Sequence, residues 1–311
     1  MAPVSDESTK ISIREGERVA TTLISLLKTS GIYASMEIQG SVALDIHIEG
    51  HSDVDMLILN EDTILVQNAA RCPTFIPALD KRPMVEIIKD LRIKSEQKLT
   101  SRYPEVDVNC AGSKSIAMEG GSLQRKIDIV PSCWYNTDDY QKSGLKHDRA
   151  VQVYDKKEHK LISNQPFLHL KKVSDRDAKY SGNLRRVIRL MKNIVADMPD
   201  DKKRKAKKLS SYDLTAIGYH MDSDLNAPYY QTLSLVEKTR SNLSLLAYSE
   251  VLRAFVDVPD GSRKVFDNDE KVEALNILSH EVDSLAKAIH RDIRPLEFNY
   301  DSKAITEKYL F

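Results

Sequence analysis

Apolar residues first recur at helical spacing over 11–28, where Ile13, Val19, Leu23, Ile24 and Leu27 form one stripe that Ser30-Gly31 ends. The period then drops to two. Residues 35–39 read as a short strand running into Gly40-Ser41. Residues 54–59 read as a stronger strand, with Val54, Met56 and Ile58 on one face and Asp53, Asp55, Leu57 and Leu59 on the other. A helix is predicted over 83–103, then strands at 106–110, 115–118 and 126–130, the last two separated by the Gly120-Gly121 turn. A further strand at 150–154 leads into the charged turn Asp155-Lys156-Lys157-Glu158. From about Arg176 the pattern turns helical, most clearly over 182–196, 211–221, 233–255 and 270–290. The order predicts an α+β chain, with an N-terminal α/β lobe (1–165) and a C-terminal helical lobe (166–311), no clean linker and no internal repeat.

Composition narrows this picture. A chain of 311 residues, 41% hydrophobic and 30% charged, has enough apolar sequence for a large core and suits a soluble globular protein. Acidic and basic residues number 46 each, so the net charge is zero, which argues against constitutive, non-specific nucleic-acid binding while leaving room for a local basic groove. The run Asp201-Lys202-Lys203-Arg204-Lys205-Ala206-Lys207-Lys208 reads as a solvated loop between helices or as an electrostatic lip for nucleotides or nucleic acid. Cys72, Cys110 and Cys133 are widely spaced and lack a Cys-x-x-Cys pair, so reduced thiols are expected rather than zinc ligands. The first residues carry no apolar signal core and no run reaches membrane-spanning length, so a cytoplasmic location is expected.

The candidate chemistry lies in three acidic residues. Asp53 and Asp55, at i and i+2, project to one side of a strand, and Asp128 can join them from a neighbouring strand. Asp55 adjoins Met56-Leu57-Ile58-Leu59 and Asp128 is flanked by Ile127 and Ile129. A carboxylate among such neighbours is costly unless paired or metal-bound. Three convergent carboxylates suit a hard cation such as Mg²⁺, and so a two-metal phosphoryl- or nucleotidyl-transfer site. Asp53 also fits a helix-capping role, and Asp107 in Glu105-Val106-Asp107-Val108 has a similar local pattern. Gly40-Ser41 is either a plain turn or a phosphate-binding turn, in which a helix beginning at Ser41 would present free N–H groups.

The stretch Gly40-Ser41-Val42-Ala43-Leu44-Asp45-Ile46-His47-Ile48-Glu49-Gly50-His51-Ser52-Asp53-Val54-Asp55 resembles the signature of the DNA polymerase β-like nucleotidyltransferases. Three later segments resemble the cGAS/DncV-like branch of bacterial antiviral defence. They are Lys126-Ile127-Asp128-Ile129-Val130-Pro131, Val151-Gln152-Val153-Tyr154-Asp155 with Asn164-Gln165-Pro166, and Arg189-Leu190-Met191-Lys192 with Ser210-Ser211-Tyr212-Asp213-Leu214. The resemblance covers about residues 12–220. It implies a mixed sheet with flanking helices, an N-terminal helix bracing both lobes, and synthesis of cyclic oligonucleotides from nucleoside triphosphates. It favours Asp128 over Asp107 as third carboxylate, because Pro131 and Trp134 follow as in the family. It assigns Asp53, Asp55 and Asp128 to Mg²⁺ or Mn²⁺, and Gly40, Ser41, Lys192 and Ser211 to the donor triphosphate.

Each of the last two residues also has a plainer reading. Arg185, Arg189 and Lys192 fall on one helix face as a solvated basic stripe would; replacing Lys192 leaves the apolar face of Leu184, Ile188, Met191 and Val195 untouched, so little effect on stability is expected. Ser210-x-x-Asp213 resembles a capping box. The animal sensor's zinc-binding His and Cys cluster is absent, and Thr215 stands where relatives often carry Glu. The alternatives in function are a linear oligonucleotide synthase, nucleotidyl transfer to RNA or protein, and an inactive nucleotide-binding scaffold. A downstream effector and a regulatory protein are the expected partners.

Overall fold

The computed structural model describes residues 1–50, 52–69, 78 and 80–309; His51 and Cys72 lie outside the described residues. Contacts divide the chain into two units, Val4–Lys171 and a helical unit of Met1–Pro3 with Lys172–Phe311.

The first unit opens with α1 (Asp6–Lys28), which starts earlier than its apolar stripe. Ser5 caps it by accepting a hydrogen bond from the Ser8 amide, and Asp6 and Glu7 occupy the first turn, where the helix dipole favours negative charge. Then come β1 (Ala34–Gln39), the one-turn helix α2 (Gly40–Ala43), β2 (Val54–Val66) and α3 (Met84–Arg102). They are followed by β3 (Asp107–Asn109), β4 (Ile116–Glu119), β5 (Ile127–Asn136), α4 (Asp138–Ser143), β6 (Ala150–Asp155) and β7 (Lys160–Asn164). The strands form one seven-stranded sheet in the order β1-β2-β5-β4-β3, with β6 pairing with β5 and β7. β2 and β5 run parallel, and the other paired strands run antiparallel. The sheet is therefore mixed.

The alternation in β2 sorts the two cores. Val54, Met56 and Ile58 join Val19, Leu23 and Leu27 of α1 and Ile88, Leu91 and Leu99 of α3 in the larger core. Leu57 and Leu59 join Val130, Trp134, Val151, Val153 and Phe167 on the opposite face. Gly16 lets α1 approach the sheet: a Cβ there would lie 2.8 Å from Val54 Cγ1. Cys110 and Cys133 are free thiols. Burial pushes the Cys133 thiol up to about 12, so it behaves as a core apolar group.

Helix α5 (Pro166–Lys179) spans the division and begins on Pro166, whose missing N–H costs nothing in a first turn. The helical unit continues with α6 (Asn183–Asp197), α7 (Asp200–Ala206), α8 (Ser211–His220), α9 (Ser234–Tyr248), α10 (Glu250–Ala254), α11 (Asp269–Ile293) and α12 (Ser302–Thr306). Two expectations change here. Most of the basic run is helix α7 rather than a loop, and Lys202, Lys205 and, just beyond the helix, Lys208 pair with Glu281, Glu273 and Glu270 of α11 at 2.7–2.9 Å. Charges engaged in this way have less to offer a polyanion. The segment expected to be one helix over 233–255 is two, because Ser249 leaves helical geometry and its hydroxyl accepts from the Leu252 amide to start α10. No helix among the described residues is long and apolar enough to cross a membrane.

Candidate active site

Asp53, Asp55 and Asp128 lie at the start of the parallel pair β2–β5. Asp55, in the first turn of the β2 ladder, is the direct partner of Asp128 on β5 and of Gln39 on β1. Direct partners in a ladder share a face, so the two carboxylates leave the sheet on the side of Leu57 and Val130. Asp53 precedes the strand by one residue, where the Val54 amide donates to the Lys126 carbonyl at 2.9 Å. Its side chain is 39% exposed and forms an ion pair with Lys126, Nζ to Oδ2 3.7 Å.

Asp128 is the electrostatically strained member. Its carboxyl is held above the usual range, first by burial and second by the Asp53 charge; the Lys126 charge acts in the opposite sense. Its Oδ1 is buried without a hydrogen-bond partner. A buried acceptor in that condition costs free energy unless a ligand satisfies it. Asp107, the residue with the similar sequence pattern, lies on the edge strand β3 opposite Glu119 and is exposed. It shares neither the burial nor the carboxylate partners of Asp128.

Gly40 explains why a glycine precedes the acidic pair. Its φ is +74°, and a Cβ built on it would lie 2.0 Å from Asp55 Oδ2. The backbone thus lies directly against the carboxylate, in a conformation that glycine adopts without strain. The helix after it begins at Gly40 rather than at Ser41 and spans a single turn, with Ser41 buried. The loop that follows is tied back to α1 by a 3.0 Å contact between Thr9 Oγ1 and Nε2 of the buried His47. Ser52 Oγ accepts from the Ile48 amide at 3.0 Å.

These donors fit a hard cation. They are carboxylate oxygens, one of them buried and unsatisfied, with a backbone cradle that a side chain would fill. Among the described residues no three His, Cys, Asp or Glu side chains gather closely enough to hold an ion as they stand. Mg²⁺ needs few protein ligands and completes its shell with water and phosphate oxygens. The fit therefore rests on the facing Asp55 and Asp128, with Asp53 beside them in an ion pair with Lys126.

Lys192 and Ser211 belong to the helical unit. On α6, Leu184, Ile188, Met191 and Val195 are buried as the apolar period requires. Arg189 and Lys192 are buried as well, at 5% and 7% exposure, which overturns the solvated-stripe reading. Arg189 Nε donates to the Met1 carbonyl at 3.1 Å, and Arg185 pairs with Asp177 at 2.8 Å. A buried ammonium is held by its surroundings, so replacing Lys192 also carries a stability cost, contrary to the expectation from periodicity. Ser211 is the exposed first residue of α8. The capping box is formed: Ser210 Oγ accepts from the Asp213 amide, and the Asp213 carboxylate accepts from the Ser210 amide. Asp213, 1% exposed, also pairs with Arg263 at 2.7 Å and lies 3.7 Å from Lys271. Sequence patterning showed the box but not the two cations that neutralise its buried acid.

No family model matches the chain. A cyclic dinucleotide synthase CdnE from Yersinia aleksiciae is 34% identical over 306 residues, covering 97% of this chain and 79% of the relative. The solved STING-associated CdnE c-di-GMP synthase of Capnocytophaga granulosa superposes with a TM-score of 0.70 at 27% identity, covering 92% of this chain and 83% of that one. The Rhodothermus marinus CdnE c-UMP-AMP synthase, solved with Apcpp and Upnpp, shares the fold with a TM-score of 0.62 at 17% identity, over 96% of this chain and all of that one. Similarity of this extent to the Yersinia enzyme, on this mixed sheet and helical lobe, establishes that the chain belongs to the CdnE cyclic dinucleotide synthases, nucleotidyltransferases of the cGAS/DncV-like group.

Proposed function

We propose that the protein joins nucleoside triphosphates into a cyclic di- or oligonucleotide with Mg²⁺, Mn²⁺ serving as a substitute, and that the product signals in anti-phage defence. The observation that carries this reading is the register of Asp55 against Asp128, with the Asp128 Oδ1 unsatisfied and the Gly40 backbone against Asp55. Asp53, Asp55 and Asp128 would hold the ion, which when bound lowers the pKa of a ribose hydroxyl and offsets the charge of the donor phosphates. Gly40 keeps the space in front of Asp55 clear, and Ser41 supplies backbone and hydroxyl donors for phosphate oxygens. A ribose hydroxyl of one nucleotide gives up its proton to solvent and attacks the α-phosphorus of another. The bond to the β-phosphate breaks, and pyrophosphate leaves. Ring closure repeats this with the roles exchanged.

Labelled nucleoside triphosphates, singly and in pairs, incubated with Mg²⁺ and then phosphatase, test the reading. A small phosphatase-resistant product supports it. A ladder of linear products indicates an open-chain synthase, and absence of turnover indicates a scaffold. The relatives named for c-di-GMP make GTP alone the first substrate to try. A downstream effector that responds to the product, and a regulatory protein partner, complete the proposed role.

Gly40→Ala is expected to leave a folded protein destabilised by about 1–2 kcal/mol, the cost of a left-handed non-glycine residue. Its new Cβ must displace the Asp55 carboxylate. A shift of about 1 Å in a reacting group can cost 10²-fold, so pyrophosphate release should fall by about that factor.

Lys192 is proposed to contact the donor triphosphate, a charge-assisted interaction of roughly 1.5–3 kcal/mol. Lys192→Met retains the buried apolar stem. Calorimetry at fixed Mg²⁺ should show triphosphate affinity weakened by about 10- to 150-fold and the nucleoside's affinity unchanged. Equal losses for both would instead assign Lys192 to the fold.

A further inference from the structure

Beside the acidic pair, three charged side chains from neighbouring strands form a row. Lys126 precedes β5 by one residue, and its Nζ lies 3.7 Å from Asp53 Oδ2 and 4.0 Å from Glu119 Oε2. Because β5 lies between β2 and β4 in the sheet, the two acids flank Lys126 from opposite sides. Glu119 ends β4, two residues beyond Ala117, the direct partner of Asp128. Ile116 and Met118 alternate with these positions and belong to the larger core, so Glu119 projects from the face that carries Asp128. The three side chains are between 39% and 58% exposed.

Both contacts are long. A hydrogen-bonded ammonium–carboxylate pair closes to about 2.7–2.9 Å, as Lys202 does with Glu281 at 2.7 Å. Lys126 is a cation shared between two acids and locked to neither. Its place is costly for the chemistry proposed above. A positive charge beside Asp53 opposes the binding of a second cation to Asp53, Asp55 and Asp128, since like charges repel. Glu119 relieves that conflict, because it offers the ammonium a second partner on the side away from Asp53.

We propose that Lys126 is the resident counter-ion of Asp53 and passes to Glu119 when the metal ion arrives, so that Glu119, without touching the ion, sets how tightly it is held. This rests on the reading of Asp53, Asp55 and Asp128 as the cation-holding residues. Glu119 is then a positioning residue that acts through Lys126, and its influence on the ion should disappear when Lys126 is removed.

Titration of Mn²⁺ into the nucleotide-free protein, with free Mn²⁺ read by electron paramagnetic resonance, tests this without turnover. Glu119→Gln should weaken Mn²⁺ binding by about 2- to 5-fold, the scale of an exposed ion pair, and Lys126→Met should tighten it by a similar factor. In the Lys126→Met background, adding Glu119→Gln should change nothing, a non-additivity that the double-mutant cycle reads directly. In the rate assay, Glu119→Gln should need correspondingly more Mg²⁺ for half-maximal pyrophosphate release. Parental Mn²⁺ affinity in Glu119→Gln would overturn the proposal and return both ion pairs to solvated surface contacts. A full effect of Glu119→Gln in the Lys126→Met background would also overturn it, since Glu119 would then attract the ion directly. Weaker binding in Lys126→Met, or no binding by the nucleotide-free parent, would overturn it too. Asp55→Asn separates these failures from that of the underlying reading. Loss of Mn²⁺ binding there keeps the carboxylate assignment whatever Glu119 does, whereas parental affinity would overturn the assignment and the proposal together.

Discussion

Asp128→Asn is expected to abolish nucleotidyl transfer while the protein stays folded and donor binding stays largely intact. Asp107→Asn, on the exposed edge strand, should change the rate little. Pyrophosphate release by the two purified variants compares them directly, and the reverse ranking would place the third carboxylate on the wrong strand. The same substitution carries a stability signature. The folded-state pKa of Asp128 is raised, chiefly by burial, so its ionised form is disfavoured in the native protein. An acid shifted in this direction takes stability away as pH rises through its folded pKa. In chelator, Asp128→Asn should therefore melt above the parent at neutral pH, and the difference should close below about pH 4, where an unperturbed Asp is itself protonated.

Asp55→Asn should lower activity by at least ~100-fold, comparable with removing a central electrostatic group. The amide is nearly isosteric, so β2 should keep its pairing with β1 and β5, and the circular dichroism spectrum and melting profile should stay close to the parent's. Near-parental pyrophosphate release from a folded Asp55→Asn protein would remove Asp55 from the site. With Gly40→Ala, the variant forms an informative pair. One leaves the side chain in place and removes its charge, while the other keeps the charge and moves it. Similar losses in both would indicate that the carboxylate must be both ionised and held against the Gly40 backbone.

The acidic residues were legible in sequence because each is a polar position inside a run of apolar ones, and the alternation assigns it a face. The same alternation placed Val54, Met56 and Ile58 opposite Leu57 and Leu59, and the two cores divide along that line. Other features gave no such contrast. The first turns of α1 bury Ser12 rather than an aliphatic residue, so the helix began before its stripe did. Edge strand β7, Lys160–Asn164, is mostly polar and half-exposed. Helix α7 carries almost no apolar residue, because its partners are the glutamates of α11. The helical pattern over 233–255 suggested one helix, yet it breaks at Ser249, and Leu245, Tyr248, Val251, Leu252 and Phe255 around the break are exposed. The approach of Gly40 to Asp55 depends on strand register, which no local pattern encodes.

The parallel pairing of β2 with β5 has a consequence for the order in which the protein acquires its chemistry. Parallel neighbours need a long crossover, here one that contains α3 and the β3–β4 hairpin. Closing so long a segment is entropically slow compared with local hairpins and helices. Asp53 and Asp55 emerge early from the ribosome, in a segment that can pair locally with β1. Asp128 meets them only after the crossover is complete and β5 has docked at the centre of the sheet. A nascent or partly unfolded chain thus carries Gly40, Asp53 and Asp55 in one local segment while Asp128 is still apart from them. The facing of Asp55 and Asp128 is therefore acquired only when the long crossover closes and β5 pairs with β2.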